Sequence, residues 1–227
     1  MITFALGVSR WATAAFLAVG VAGGADLSQY RGFKFGTNMA AVATAAGLSA
    51  AEAKTIHSRP ALIQELEWRP QPLGPSSTTD AAKDVAFSFY DGQLFRITIS
   101  YDRFVTEGLT TTDYIDAISK TYGMPSPPDA QKAAVLTRYG DEEQVVAQWQ
   151  DSQYRFQLIR SEYGPTFMLI GVLKRMDEAS RVASLEAARL DDKEAPQREA
   201  ERKTKDAESE RARLEKARLA NKPVFRP

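Results

Sequence analysis

The chain has 227 residues, of which 44% are hydrophobic and 26% charged, the profile of a soluble protein with one good core and room for an appendage. Its formal net charge is zero but unevenly spread: residues 26–173 hold 13 Lys+Arg against 17 Asp+Glu (−4), and residues 174–227 hold 15 against 12 (+3), neither basic enough to make nucleic acid the partner. There is no cysteine, which excludes disulfides, thiolate catalysis, cysteine lipidation and thiolate metal sites together.

Arg10 precedes an apolar run, Trp11 to Ala25, that ends in small residues before Asp26. A positive residue, an apolar core and a small-residue end describe a secretory signal peptide over residues 1–25, with Gly23 and Ala25 at the −3 and −1 positions. The run of 15 residues spans roughly 22 Å as a helix, short of a ~30 Å hydrocarbon core. The expected location is therefore the periplasm or the exterior, and a membrane is involved only if the segment stays uncleaved.

After a polar lead-in, Phe33 and Phe35 sit on a short extended piece. Met39, Val42, Ala43 and Ala46 follow at i, i+3, i+4 and i+7, one helical stripe with Thr37 as its expected N-cap and Gly47 as its stop. Ser49 and Glu52 have capping-box spacing, so a second short helix is expected to run to about His57, before Pro60. Residues 62–68 read as a strand with Leu66 and Trp68 on one face together with Leu62. Prolines and small polar residues make 69–83 a loop.

Residues 85–101 carry the clearest signal. Two alternating runs flank Asp91-Gly92, a dipeptide suited to the positive φ angles of a tight hairpin turn. Alternation puts Val85, Phe87 and Phe89 with Phe95, Ile97, Ile99 and Tyr101 on one apolar face, and Leu94, Arg96, Thr98 and Ser100 on the other. Such a half-apolar antiparallel sheet needs a cover. Next, Thr110 and Asp113 cap a helix whose stripe is Ile115, Ile118 and Tyr122, with Leu109 and Tyr114 at staple spacing and Gly123 at the end. A strand is expected over 135–139, and a second hairpin over 145–150 and 153–160 around Asp151-Ser152. In it Val145, Ala147 and Trp149 alternate with Val146, Gln148 and Gln150, and Tyr154, Phe156 and Leu158 with Arg155, Gln157 and Ile159. A turn over 163–165 leads to residues 166–174, apolar on both faces and so a strand covered on both sides or a central one.

From 174 to 220 the chain is rich in Ala, Glu, Arg and Lys and reads as a charged helix, with Asp177–Arg181, Glu194–Arg198, Glu199–Lys203 and Glu201–Lys205 spaced i, i+4. Pro196 predicts a break or a new start there. Ala200, Ala207 and Leu214 recur every seven residues, but Lys203 and Glu210 interrupt the seam, so a solvated helix is favoured over a coiled coil. Residues 221–227 are expected to be extended.

Two halves, 30–104 and 105–173, share one order: a Thr-capped helix, a Gly stop, then a hairpin turning at Asp91-Gly92 or Asp151-Ser152. The expected fold is α+β, an antiparallel sheet with helices on one face, built as a tandem helix-plus-hairpin repeat and followed by a long charged helix. Phe35-Gly36-Thr37 entering a helix that ends at Gly47, and the hairpin Phe89-Tyr90-Asp91-Gly92-Gln93-Leu94, resemble the β-lactamase-inhibitor-protein-like superfamily over roughly residues 30–173. The chain departs from that pattern in lacking the cysteine of its lipoprotein members and in adding the charged helix. The resemblance implies an exported, non-catalytic protein-binding domain.

Catalytic patterns are sparse. His57 is the single histidine, with no cysteine beside it, so zinc and a nucleophile–histidine pair are not expected. No Gly-x-Ser-x-Gly elbow or phosphate-binding glycine loop is present. Asp141-Glu142-Glu143 reads as a solvated turn. Glu65 and Glu67 share a strand face, the one carboxylate pair open to acid–base work. No catalytic residue, cofactor or metal is expected. The candidate contact surface is the polar sheet face, where Arg96, Thr98, Ser100, Gln148, Gln150, Arg155 and Gln157 would meet an unknown protein or peptide. Three functions follow for test: an exported binding or scaffold protein of the bacterial envelope, a carboxylate-dependent enzyme, and an oligomer assembled through the charged helix.

Overall fold

A computed structural model describes residues 26–70, 81–126, 134–136, 142–161, 167–224 and 226. The export segment, the Pro-rich loop at 71–80 and the turn at 163–165 lie outside the described residues. The chain enters through a two-stranded ribbon, β1 (Gln29–Tyr30) and β2 (Phe33–Lys34), and continues into α1 (Met39–Ala46). Asn38, not Thr37, caps α1: its side-chain oxygen accepts from the Ala41 amide at 2.9 Å. Val42 and Ala43 are buried, and Gly47 ends the helix at φ 69°, a left-handed position that suits glycine.

The expected helix over 50–57 is corrected. The Ser49–Glu52 capping box forms, but it closes only a 3-10 turn, Ala50–Glu52. Lys54–His57 is strand β3, paired with β4 (Ile63–Trp68). Thr55 and Ile56 are β-branched, and Lys54, Thr55 and His57 pair with β4 around a bulge at Ile56, so tertiary pairing outweighs the helical start. Leu66 and Trp68 face the core as expected, whereas Leu62 lies before the strand and is exposed.

The hairpin forms as β5 (Ala82–Tyr90) and β6 (Gln93–Tyr101), with Asp91 at φ 47° and Gly92 at φ 77°. One expectation fails inside it. Phe89 pairs with Leu94, but Ser88 pairs with Arg96, so Phe95 is the extra residue of a bulge. Leu94 therefore joins the core with Val85, Phe87 and Phe89, and Phe95 packs on the opposite face. The same device recurs in β8 (Glu142–Gln150), which follows α2 (Thr111–Tyr122) and β7 (Ala134–Leu136). There Val145 pairs with Ile159 and Ala147 with Leu158, so Val145 faces away from Ala147 and Trp149. In α2, Thr110 and Asp113 complete the capping box, and Tyr114, Ile118 and Tyr122 are the buried stripe. Ile115 is only half-buried and Leu109 is exposed, so the staple does not close.

β9 (Tyr154–Arg160) and β10 (Phe167–Leu173) complete an eight-stranded antiparallel sheet in the order β3-β4-β5-β6-β10-β9-β8-β7. Each half is thus a helix followed by a four-strand meander, and the halves meet where β6 pairs with β10. That central place explains why β10 is apolar on both sides. α1, α2 and the ribbon cover one face, burying Phe33, Phe35, Phe87, Phe89, Trp149 and Phe156. Rings interlock there: Phe33 lies 4.6 Å from Phe87, and Tyr122 stacks on Phe156 at 4.4 Å. Two polar ring atoms find carbonyls, Trp149 Nε1 at Gly123 (2.9 Å) and Tyr122 hydroxyl at Gln29 (3.1 Å).

α3 (Lys174–Asn221) starts directly from β10. Two further expectations are corrected. The helix does not break at Pro196, and Lys222 is helical with a turn to Val224 rather than an extended tail. Pro196 has no N–H to give and crowds the preceding turn. Arg198 spans that turn, donating to the Asp191 carbonyl at 3.0 Å and to its carboxylate at 2.9 Å.

Candidate functional site

Sheet register brings all seven candidate residues to one face. Ser88, Arg96, Val172, Arg155 and Gln150 form one row across β5, β6, β10, β9 and β8. Ala86, Thr98, Ile170, Gln157 and Gln148 form the next. Ser100 continues that face beside Met168. The expectation that this face lies open is corrected, because the first turns of α3 cross it.

One carboxylate seats the helix. Asp177, 5% exposed, accepts from Arg96 Nε at 3.1 Å and Nη2 at 2.5 Å, and its second oxygen lies 3.6 Å from Arg155 Nη2. Arg96 and Arg155 both pair in register with Val172, so the carboxylate sits above the central strand with a guanidinium on either side. Arg155 Nε is buried without a partner among the described residues, an unsatisfied donor that offsets part of the attraction. Beyond Asp177 the docked stripe is Met176, Ser180, Ala183 and Ala187. Ala183 packs with Ala61 and Ile63 beside Tyr90, so α3 runs from the sheet centre towards the β3–β4 side. Small side chains allow the helix to approach closely while burying little apolar surface.

A second clasp holds the point where the helix leaves. Arg59 donates to both oxygens of Glu194 at 2.7 and 2.6 Å and reaches Asp191 at 3.5 Å. The Arg59 hydrogen bonds hold Glu194 below the usual carboxylate range, and Arg198, then Arg59, lower Asp191. Continued at helical spacing, the docked stripe would reach Arg198, Glu201 and Lys205, which have no apolar sheet to meet. From Ala195 to Asn221 only exposed side chains occur.

Between the clasps α3 roofs a cleft of about 780 Å³. Its floor is Phe95, Met168 and Ile170; Glu65, Ser88, Thr98 and Ser100 stand on the strands and Arg181 on the helix. The carboxylates read from the sequence do line it: Glu67 meets Lys54 at 3.3 Å, and Asp84 beside them meets Arg69 at 2.8 Å. The other candidates divide. Gln150 accepts from Lys174 Nζ at 3.0 Å, Gln148 is 2% exposed, and Gln157 is half-buried, all on the half that α3 does not cross. His57 lies on edge strand β3, and the described residues include no group of His, Asp and Glu able to hold a metal. Glu142 and Glu143 have strand backbone in β8 rather than the expected turn, and Asp141 lies outside the described residues.

Asp177 was legible only as an i, i+4 neighbour of Arg181. In the fold Arg181 pairs with Glu178 instead, at 3.4 Å. The signal that would have placed it is the spacing of Met176, Ser180, Ala183 and Ala187, a stripe with Asp177 at its edge. Fold and site together define an α+β domain with a helix strapped over its polar sheet face. No family model, curated protein or solved structure matches the chain.

Proposed function

We propose that the protein is an exported, non-catalytic binding or scaffold protein of a bacterial cell envelope, whose folded domain is joined to a stiff helical rod. One observation carries the reading: α3 is fastened to the domain at Asp177 and Arg59 and then continues from residue 195 to 221 with its side chains exposed. Those 27 residues extend about 40 Å. Ion pairs along them, Lys203–Glu199, Arg213–Glu210 and Arg218–Glu215, support a helix without a tertiary partner. A rod that leaves a domain in a fixed direction suits holding that domain at a set distance from a second attachment. The run from Arg10 to Ala25 supports export.

Fractionation of the native host with intact-mass measurement tests the location; a soluble species beginning at Asp26 is expected, and a full-length cytoplasmic species would overturn export. Photo-crosslinkers at exposed rod positions such as Arg202 and Ser209 test the scaffold role. One discrete adduct is expected, and none at any rod position in cells would remove it. Self-adducts alone, with a concentration-dependent mass in light scattering, would favour the oligomer instead. A catalytic reading has one observation in its favour, Glu65 and Glu67 in a roofed cleft. An activity lost in Glu65→Gln with the fold retained would establish it.

A further inference from the structure

We infer that the far end of the rod, residues 211–226, is a docking element for the anionic headgroups of a phospholipid membrane. The inference deepens the scaffold reading above and rests on it, naming the surface that the rod's second attachment meets.

Charge changes abruptly along the exposed part of α3. Residues 195–210 hold 4 Lys+Arg against 5 Asp+Glu (−1), and residues 211–227 hold 6 against 1 (+5). Arg213 and Arg218 are turned back onto Glu210 and Glu215. The other four cations, Arg211, Lys216, Lys222 and Arg226, are exposed and make no ion pair among the described residues. Leu214, Leu219 and Val224 are exposed beside them. Unbalanced cations interleaved with apolar side chains suit the interface of an anionic bilayer, where headgroups take the charge and the apolar groups enter the acyl boundary.

The placement favours lipid over a groove on a protein. At about 100° per residue, Arg211 and Lys222 stand on one side of the helix and Lys216 on the other, with Leu214 and Leu219 on the flanks between them. No single stripe carries the charge, so a fixed groove would meet only part of it, whereas headgroups gather round a helix end. The near-neutral length from 195 to 210 spans about 24 Å, three times the screening length of about 8 Å at physiological ionic strength. It therefore holds residues 26–173, with their charge of −4, beyond the range at which the same surface would repel them. Such contact is peripheral, reversed by salt and independent of the export segment.

The test is cosedimentation of the chain as isolated from its host with vesicles of phosphatidylglycerol and phosphatidylcholine, against vesicles of phosphatidylcholine alone. In about 0.1 M salt the mixed vesicles are expected to bind at least about a hundredfold more tightly, and about 0.5 M salt to remove most of that difference. Each Lys or Arg near such a surface is worth about fivefold in affinity. The triple variant Arg211→Gln, Lys216→Gln and Lys222→Gln, which keeps helix propensity, is thus expected to bind mixed vesicles about a hundredfold more weakly. Lys34→Gln, Lys83→Gln and Lys120→Gln together remove the same charge from the exposed surface of the domain, and are expected to change binding by less than about twofold. Equal binding to both vesicles, or an equal loss in both triple variants, overturns the inference. So does a mass that rises with concentration and falls with salt without vesicle binding, which would assign the tip to the acidic domain of a second copy. A discrete rod adduct in cells together with no vesicle binding would leave the scaffold reading standing and remove only this lipid contact.

Discussion

The two faces of the sheet are held by different means. On the α1/α2 face large apolar side chains interlock: Phe87, Phe89, Trp149 and Phe156 are almost wholly buried, the Phe87 ring lies against Phe33 of the ribbon, and the Phe156 ring against Tyr122 of α2. On the α3 face the helix meets the strands through one buried carboxylate, two arginines and a stripe of Ser and Ala. The first face supplies most of the hydrophobic stabilisation, which scales with apolar area removed from water. The second fixes where a helix lies and leaves a cleft beside it. Stability and placement are thus assigned to opposite sides of one sheet.

Breaking the first face should have the largest effect. Phe156→Ala is expected to cost about 3–5 kcal/mol, the usual loss for a buried aromatic ring, read as a fall in the urea midpoint. Gly171→Ala tests the same packing from the opposite direction. A methyl at Gly171 would clash with the Phe156 ring, which Tyr122 backs at 4.4 Å and Phe35 flanks at 6.0 Å, so the ring must shift against packed neighbours to make room. Overpacking there is expected to cost about 2–3 kcal/mol. If Gly171→Ala left the midpoint unchanged, the ring would be more mobile than the stacking implies.

Asp177→Ala breaks the second face. Removing one member of a fully buried ion pair costs several kcal/mol, but Arg96 and Arg155 are partly exposed, so the expected loss is about 1–2 kcal/mol. Its location matters more than its size. Amides of residues 176–190 should lose protection in hydrogen exchange while those of β5, β6 and β9 keep theirs. Equal loss in helix and sheet would show that the strap and the core unfold as one unit, and the distinction between the faces would fail.

The first face was legible from alternation, because strands expose one side chain in two and the apolar residues of β5 and β9 fall on that period. Thr110–Asp113 and Asp91-Gly92 were legible because caps and turns are local. What escaped was non-local or one residue deep. The bulges at Phe95 and Val146 reverse part of a strand, and nothing in an alternating string marks which residue is extra. Thr55 and Ile56 became a strand because β4 lay beside them. All seven polar residues of the candidate face were correctly placed together, but their cover was not foreseen. A docking stripe of Met, Ser and Ala has little contrast with an already Ala-rich helix, and the partner of Asp177 lies 81 positions away in Arg96.

The clasp at the root of the rod gives the smallest expected effect and the sharpest comparison with Asp177, because its residues are exposed. The native Glu194 and Asp191 carboxyls titrate below their ordinary values of 4.5 and 3.8, through hydrogen bonds from Arg59 and Arg198. A lowered native pKa means the unfolded or undocked state binds protons more readily. The clasp's contribution is therefore complete above those ordinary values and is lost as pH falls through the lowered native ones. Spin labels on the domain surface at Lys83 and on the rod at Ser209 would report it. Their distance distribution should be narrow at pH 7 and broaden on acidification below about pH 4 while the sheet signal persists. Asp26 and Asp113 also titrate below the ordinary range through local hydrogen bonds, so acid acts elsewhere in the domain as well. Arg59→Gln separates the two effects. It should broaden the distribution already at pH 7 and flatten the acid response. A variant that stayed narrow at neutral pH would show that Asp177 and the Ala183–Ile63 contact hold the rod's direction without Arg59.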